Sequence, residues 1–438
     1  MGGDIVLYML GLLIVLILLG VHIGVALAVC SFLGMLLMGF PFEAAVSILS
    51  STAYDAVRKD IFAVIPLFVL MGDVIWRSGA AADLYRICDR GLRRLPGRLA
   101  IATIAGNTVF AAVTGVSIAA AAAFSRIAYP QMKALGYNQT FALGAVAGSS
   151  CLGMLIPPSI LLIVWAILTE MSVGALFMAG ILPGLLLAGL FTIYVIAAAI
   201  YKPSLAPAYT APLVEPTREE VRSELIGGIG ILALILVVIG GIWSGFFTPT
   251  EAAGFGAVTA LILGVVKGMG WRDFRFTLYQ AARTTAPIMF LLITASMYSR
   301  LLALGGGVNY IQGLFLGAEL SPATIILLMV LVWLVLGMLV DSVSIILLTV
   351  PIFAPIAIGL GLDPLAFAIF GILVIEAGLL TPPFGILVYT VKGSVPDPTA
   401  TLGKIFLGSA PYFVLILVAA FIVLALPWLA TQLPAMLM

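Results

Sequence analysis

Apolar runs near twenty residues long, separated by short polar or glycine-containing breaks, recur along the whole chain. The hydrocarbon core of a bilayer is about 30 Å thick and takes about 20 apolar residues per helix. Spans are therefore predicted at 5–20, 21–40, 61–76, 141–169, 173–201, 225–243, 253–266, 286–304, 365–391 and 405–426. Two further runs, 99–128 and 323–360, are too long for one crossing. Each carries small or polar residues at its middle, Thr114-Gly115-Val116-Ser117 in the first and Asp341-Ser342-Val343-Ser344 in the second. Both read as re-entrant hairpins that enter and leave on one face. The pattern predicts an all-α integral membrane protein. Segment 42–59 sets Phe42, Val46, Leu49 and Val57 among polar residues and reads as an interfacial helix or partner contact.

Charge orients these spans, because short cytoplasmic loops collect Lys and Arg. We take the basic loop after Trp76 as cytoplasmic and both hairpins as re-entrant. All 20 Lys and Arg except Arg58, Lys59 and Arg300 then fall on one side. A hairpin counted as a full crossing spoils that asymmetry downstream. Both termini are predicted to face outward, opposite the cytoplasm. Composition agrees: only 9% of residues are charged, against roughly 25% in a soluble domain. The net charge of +1 excludes nucleic-acid binding by bulk charge. Cys30, Cys88 and Cys151 lie far apart, and His22 is the only histidine, so neither a disulfide framework nor a zinc site is implied. Residues 1–4 lack a basic stretch, so no removable signal peptide is expected.

The chain also repeats itself. Pro157-Pro158 and Pro382-Pro383 stand 225 residues apart, and the hairpin centres Thr114 and Asp341 stand 227 apart. Pro66-Leu67-Phe68 and Pro287-Ile288-Met289 stand 221 apart, and each leads to an arginine, Arg77 or Arg300. Two units are predicted, 1–201 and 225–438, joined by a cytoplasmic linker at 202–224 with Pro203, Pro207, Pro212 and Pro216. Five crossings per unit is an odd number, so the second copy is inverted. The first unit holds hairpin 99–128 and broken helix 141–169; the second holds hairpin 323–360 and broken helix 365–391. Inverted repeats with paired broken helices are the construction of secondary transporters, with the site near the midplane.

Proline removes a backbone donor and clashes with the carbonyl one turn earlier, so adjacent prolines break a span. Freed carbonyls in a membrane must face protein, water or an ion. Together with hydroxyls they suit a hard cation such as sodium, while half-helix N-termini suit an anion. The first unit offers Asn107, Thr114, Gly115, Ser117, Ser149, Ser150, Gly153, Pro157, Pro158 and Ser159. The second offers Asp341, Ser342, Ser344, Glu376, Gly378, Thr381, Pro382 and Pro383. Ionisable residues within spans are expensive and mark function. Asp341 is either an ion ligand or a cap on the return helix. Glu376, which aligns with Cys151 of the first unit, is either a site residue or a partner for backbone N–H groups or a lysine. Arg300 is either a bidentate anchor for a substrate carboxylate or an interfacial residue. No GxxxxGK[ST], HExxH or GxSxG occurs, so neither ATP hydrolysis nor another enzyme activity has motif support.

Several segments together carry a family resemblance: 66–72 (PLFVLMG), 153–159 (GMLIPPS), 240–253 (GGIWSGFFTPTEAA), 337–341 (GMLVD) and 376–385 (EAGLLTPPFG). The chain resembles the large membrane (M) subunit of tripartite ATP-independent periplasmic (TRAP) transporters over essentially its whole length. That resemblance implies an elevator-type transporter driven by a sodium gradient, with no other cofactor. It implies a small four-helix membrane subunit and an extracytoplasmic solute-binding protein as partners, and a small carboxylate as substrate. One sodium site is implied at Asn107, Thr114, Gly115 and Ser117 with Gly153, Pro157, Pro158 and Ser159. The other is implied at Asp341 and Ser342 with Gly378, Thr381, Pro382 and Pro383. Ser149, Ser150, Arg300, Ser344 and Glu376 remain as substrate-binding candidates. The first tip departs from the family: Val116 stands where many relatives carry serine. A stand-alone sodium/dicarboxylate symporter of related fold is the alternative, and an ion or solute channel is the alternative of another class.

Overall fold

The computed structural model describes residues 2–207, 217–307, 310, 313 and 320–437, and among them every regular element is a helix. α1 (Gly2–Leu18) and α2 (Ile23–Leu37) form an apolar pair. His22 caps α2, its Nδ1 accepting the Gly24 N–H at 3.2 Å. α3 (Phe42–Arg58) buries Ala45, Leu49 and Ala56 and exposes Phe42, Val46 and Val57. After α4 (Val64–Arg77), the segment predicted as a basic loop is a helix, α5 (Ala80–Gly91), bent 67° from the preceding one. Its arginines hid a helical period in which Ala80, Ala81, Leu84 and Tyr85 are buried.

The first hairpin is α6 (Arg98–Thr114) and α7 (Ser117–Ala134). It is longer than 99–128, because helix-forming residues carry α7 past Arg126. α8 (Gln139–Ser150), a 3-10 turn at Cys151–Met154 and α9 (Ile160–Thr169) make the first broken span, followed by α10 (Val173–Tyr201). Linker prolines Pro212 and Pro216 lie outside the described residues. The linker ends sooner than 224, since α11 (Arg218–Ile235) opens on a capping box of Thr217 and Glu220. A π turn leads through α12 (Gly241–Trp243) to α13 (Pro249–Val266) and α14 (Trp271–Leu304). α14 starts well before 286, because residues 271–285 are polar yet helix-forming. Its 34 residues reach about 51 Å, beyond the hydrocarbon core.

The second hairpin is α15 (Pro322–Gly337) and α16 (Ser342–Gly359). Its bend lies at 338–341, so Ser342, Val343 and Ser344 already belong to the return helix. α17 (Pro364–Gly378) and α18 (Ile386–Ser394) make the second broken span, and α19 (Leu402–Ala425) and α20 (Trp428–Leu437) close the chain. Both double prolines, Pro157-Pro158 and Pro382-Pro383, are cis.

Among the described residues six helices are long and apolar enough to cross a membrane, α16 among them. For α16, however, 78% of the apolar window is buried in protein, against 28–39% for the others. A helix so enclosed reads as part of an internal hairpin. α1–α4 pack with α11, α13 and α14, while the hairpins, broken spans, α10, α19 and α20 pack with one another. Two contacts exchange the repeats: α7 of the first hairpin packs on α18 of the second break, and α16 of the second hairpin packs on α9 of the first. Trp165 of α9 and Trp333 of α15 meet at 6.4 Å between ring centroids within an aromatic cluster that includes Phe367 and Phe370.

At one end of this group, Asp397 in the loop before α19 accepts from Lys133 Nζ (2.7 Å), from Gln139 Nε2 (3.1 Å) and from the Tyr129 hydroxyl. The Lys133 ammonium, with the hydroxyls of Tyr129 and Thr399, holds its carboxyl well below the usual carboxylate range. The sign follows from linkage: a depressed carboxylate stabilises the fold above its unfolded pKa, and that stability is lost as pH falls through the folded value. Asp397→Asn is expected to lower the melting temperature at pH 7, with the gap to wild type shrinking only below about pH 4. Thermal melts across pH 3–8 check this; a gap that widens toward acid rules it out.

Candidate functional site

Each hairpin tip is seated on the break of its own repeat. Gly115, at φ +63°, ends α6, and its carbonyl accepts the Ile160 N–H at 3.3 Å. A methyl group there would lie 2.2 Å from the Pro158 carbonyl oxygen. In the second repeat Gly337 and Gly378 touch through their backbones; a Cβ on Gly337 would stand 2.7 Å from Gly378 Cα. Glycine at these places lets backbone reach backbone.

The return helices start on serines 225 residues apart, Ser117 and Ser342. Both hydroxyls donate to one carboxylate: Ser117 Oγ to Glu376 Oε2 at 2.5 Å and Ser342 Oγ to Glu376 Oε1 at 2.8 Å. Glu376 is 1% exposed, on the last turn of α17. No lysine pairs with it, and no described backbone N–H does. It joins the two tips. Cys151, its counterpart, donates its thiol to the Glu376 carbonyl at 3.7 Å.

Between the tips lies a cavity of about 220 Å³. Val116, Ser117 and Ile118 line it from the first tip and Asp341, Ser342 and Val343 from the second. Met154 and Ile160 flank the first break, Leu379 and Ile386 the second, and Thr284 and Ile288 of α14 close it. α7 starts without a side-chain cap, because its N-cap is Val116. Its first N–H groups and the positive end of its dipole therefore remain available to an anion at the cavity. α16 differs: Asp341 caps it, Oδ1 accepting the Ser344 N–H at 3.1 Å and Oδ2 the Ser344 hydroxyl at 2.5 Å. Asp341 is both cap and cavity wall.

Near the first break, Asn107 Nδ2 donates to Ser149 Oγ at 2.7 Å, while Asn107 Oδ1 is buried without a hydrogen-bond partner. Thr114, Ser149 and Ser159 donate their hydroxyl hydrogens to the carbonyls of Phe110, Ala145 and Met154. The Thr114 oxygen keeps its lone pairs to accept, while Ser149 already accepts from Asn107 and Ser159 from the Leu162 N–H, which leaves each of those two a single further acceptor position; such oxygens suit a hard cation. In the second break Thr381 donates to the Gly378 carbonyl at 2.6 Å. Pro157 and Pro158 are buried, whereas Pro382, Pro383 and Phe384 are exposed.

Some expected site residues are not brought together. Ser150 turns to the Ala147 carbonyl, Ser149 to Asn107, and Ser344 to Asp341, and none of them lines the cavity. Arg300 is exposed and lies twelve residues past Ile288, about 18 Å farther along α14. That separation removes it from this cavity. Its counterpart Arg77 pairs with Asp273 at 2.7 Å.

A family profile described as the tripartite ATP-independent periplasmic transporter, DctM component, matches residues 10–429. The chain belongs to this family. It is 34% identical over 375 residues to the C4-dicarboxylate TRAP transporter large permease protein DctM of Pseudomonas aeruginosa, covering 84% of this chain and 85% of that one. It is 31% identical to the sialic acid TRAP transporter large permease protein SiaM of Vibrio cholerae, over 82% and 83% of the two chains. The solved structure of the Alcanivorax borkumensis YdaH transporter aligns with a TM-score of 0.61 over 88% of each chain at 16% identity, which establishes a shared fold. The chain is thus a multi-pass membrane permease of a solute transporter. Thr284 and Ile288 escape a reading of the hairpins alone. The paired hydroxyls Thr284-Thr285 beside Pro287 are the signal that marks them.

Proposed function

We propose that this chain imports a small carboxylate by sodium symport across the bacterial cytoplasmic membrane. It works as the transport subunit with a small membrane subunit and an extracytoplasmic binding protein. The observation that carries the reading is the cavity built from both hairpin tips, with the uncapped N-terminus of α7 turned toward it. No basic side chain lines that cavity, so helix N–H groups receive the carboxylate. The substrates for which those relatives are named, C4-dicarboxylates and sialic acid, share that group. Sodium, as co-transported cargo, fits the orphaned Asn107 oxygen and the acceptor lone pairs of Thr114 and Ser159 on one side. Asp341 and Thr381 supply oxygens on the other. The two units 1–201 and 225–438 are inverted repeats, with both termini periplasmic. Hairpins and breaks move as one elevator body against α1–α4, α11, α13 and α14.

The test is uptake of labelled succinate and sialic acid into proteoliposomes holding the membrane subunits. Uptake is expected only with the cognate binding protein and an inward sodium gradient. Full-rate uptake by this chain alone overturns the tripartite reading, and uptake indifferent to sodium overturns symport. Asp341→Asn keeps an N-cap, since asparagine caps as well as aspartate, but loses the charge. Its half-saturating sodium concentration is expected to rise roughly tenfold, as for a charge-assisted contact of ~1.4 kcal/mol. Unchanged sodium activation removes Asp341 from the ion site.

A further inference from the structure

A second cavity, of about 430 Å³, opens where α10 ends and α6 begins, about 24 Å along α6 from the first hairpin tip. Arg93, Arg94 and Arg98 line it together with Tyr137, Ile200 and Pro203. Arg98 pairs with Asp89 at 3.5 Å, and nearby Arg90 is taken up by Glu224 at 2.7 Å. Arg93 and Arg94 are exposed and have no carboxylate partner among the described residues. Two unpaired guanidiniums at the mouth of an otherwise mostly apolar hollow select an anion of phosphate type. The hollow continues onto outward-facing apolar surface: Ile200, Ile193 and Leu185 are exposed on α10 and lie within an arc of about 80° of that helix. Exposed Tyr201 sits beside them, as interfacial aromatics do.

We propose that this cavity binds the headgroup of an anionic phospholipid, with Arg93 and Arg94 on the phosphate and an acyl chain along Ile200, Ile193 and Leu185. A free phosphate satisfies the arginines but leaves the apolar stripe unused; a zwitterionic lipid fills the stripe but carries no net charge for the guanidiniums. Under the orientation proposed above the lipid lies in the cytoplasmic leaflet, where basic pockets between helices hold anionic headgroups. The site sits where α5 passes into α6 and α10 into the linker. Both are places where the chain crosses between its two packed groups of helices.

The full chain in detergent, titrated with phosphatidylglycerol, is expected to gain thermal stability and to retain the lipid in native mass spectrometry. Phosphatidylcholine and inorganic phosphate are expected to do neither. Arg93→Gln with Arg94→Gln should weaken phosphatidylglycerol binding about 30-fold, at ~1 kcal/mol per basic residue. Arg93→Lys with Arg94→Lys should keep most of it. Arg272→Gln with Arg275→Gln, which alters exposed charge elsewhere, is expected to leave binding unchanged. Equal loss in that control pair, equal stabilisation by phosphate alone, or no lipid retained by the wild-type chain overturns the proposal. Uptake assays are separate from these readouts, so failure here leaves the transport reading standing.

Discussion

Replacing Glu376 by alanine is expected to lower sodium-driven uptake by at least about 100-fold, because it cuts the hydrogen-bonded link that joins the two hairpin tips. Each serine hydroxyl donates to a carboxylate, a bond worth about 1.5–3 kcal/mol to a charged group. The substitution also leaves two buried hydroxyls without an acceptor. Ser117→Ala and Ser342→Ala should each cost roughly tenfold, and together less than their product, since a shared acceptor makes the two contacts interdependent. Glu376→Gln keeps one good acceptor oxygen and should fall between. Uptake in proteoliposomes, at matched protein incorporation, measures all five variants, the double one included. Uptake by the alanine variant within about twofold of wild type would mean that the tips need no common tether.

How much of this was legible in the chain depends on which interactions are local. The hairpins, the double-proline breaks and the offset near 225 are written in hydropathy and in proline, whose effects act within one helical turn. Asp341 as a cap was equally readable, because an N-cap bonds residues only two or three positions on. The pairing of Ser117 and Ser342 through Glu376 joins residues 259 apart in one case and 34 in the other, and no periodicity reports that. The symmetry argument even pointed away from it, since Glu376 aligns with Cys151 and looked like a broken rule. Arg300 failed for the opposite reason. Its chemistry suited a carboxylate, but position along a long straight helix, not residue type, decides what it reaches. The lengths of α5 and α14 were missed because polar residues end a hydropathy window without ending a helix.

Gly115→Ala is expected to destabilise the protein by about 2–5 kcal/mol, from a left-handed backbone cost of ~1–2 kcal/mol and an overpacking cost of ~1–3 kcal/mol. The added methyl meets the Pro158 carbonyl oxygen, a backbone atom held in the double-proline break, so no side-chain rotation relieves it. The tip must lift, and the Ile160 N–H to Gly115 carbonyl bond goes with it. Ser117 lies two residues on, so the lift also draws its hydroxyl away from Glu376. Transport and stability therefore fall together at this position. Gly189→Ala on α10 is the matched control: a Cβ there meets nothing within 4 Å, and alanine favours the helix by up to about 1 kcal/mol. Thermal melts and uptake on both variants settle the matter. A Gly115→Ala protein that melts like wild type and transports normally would show that the first tip is not seated on the first break.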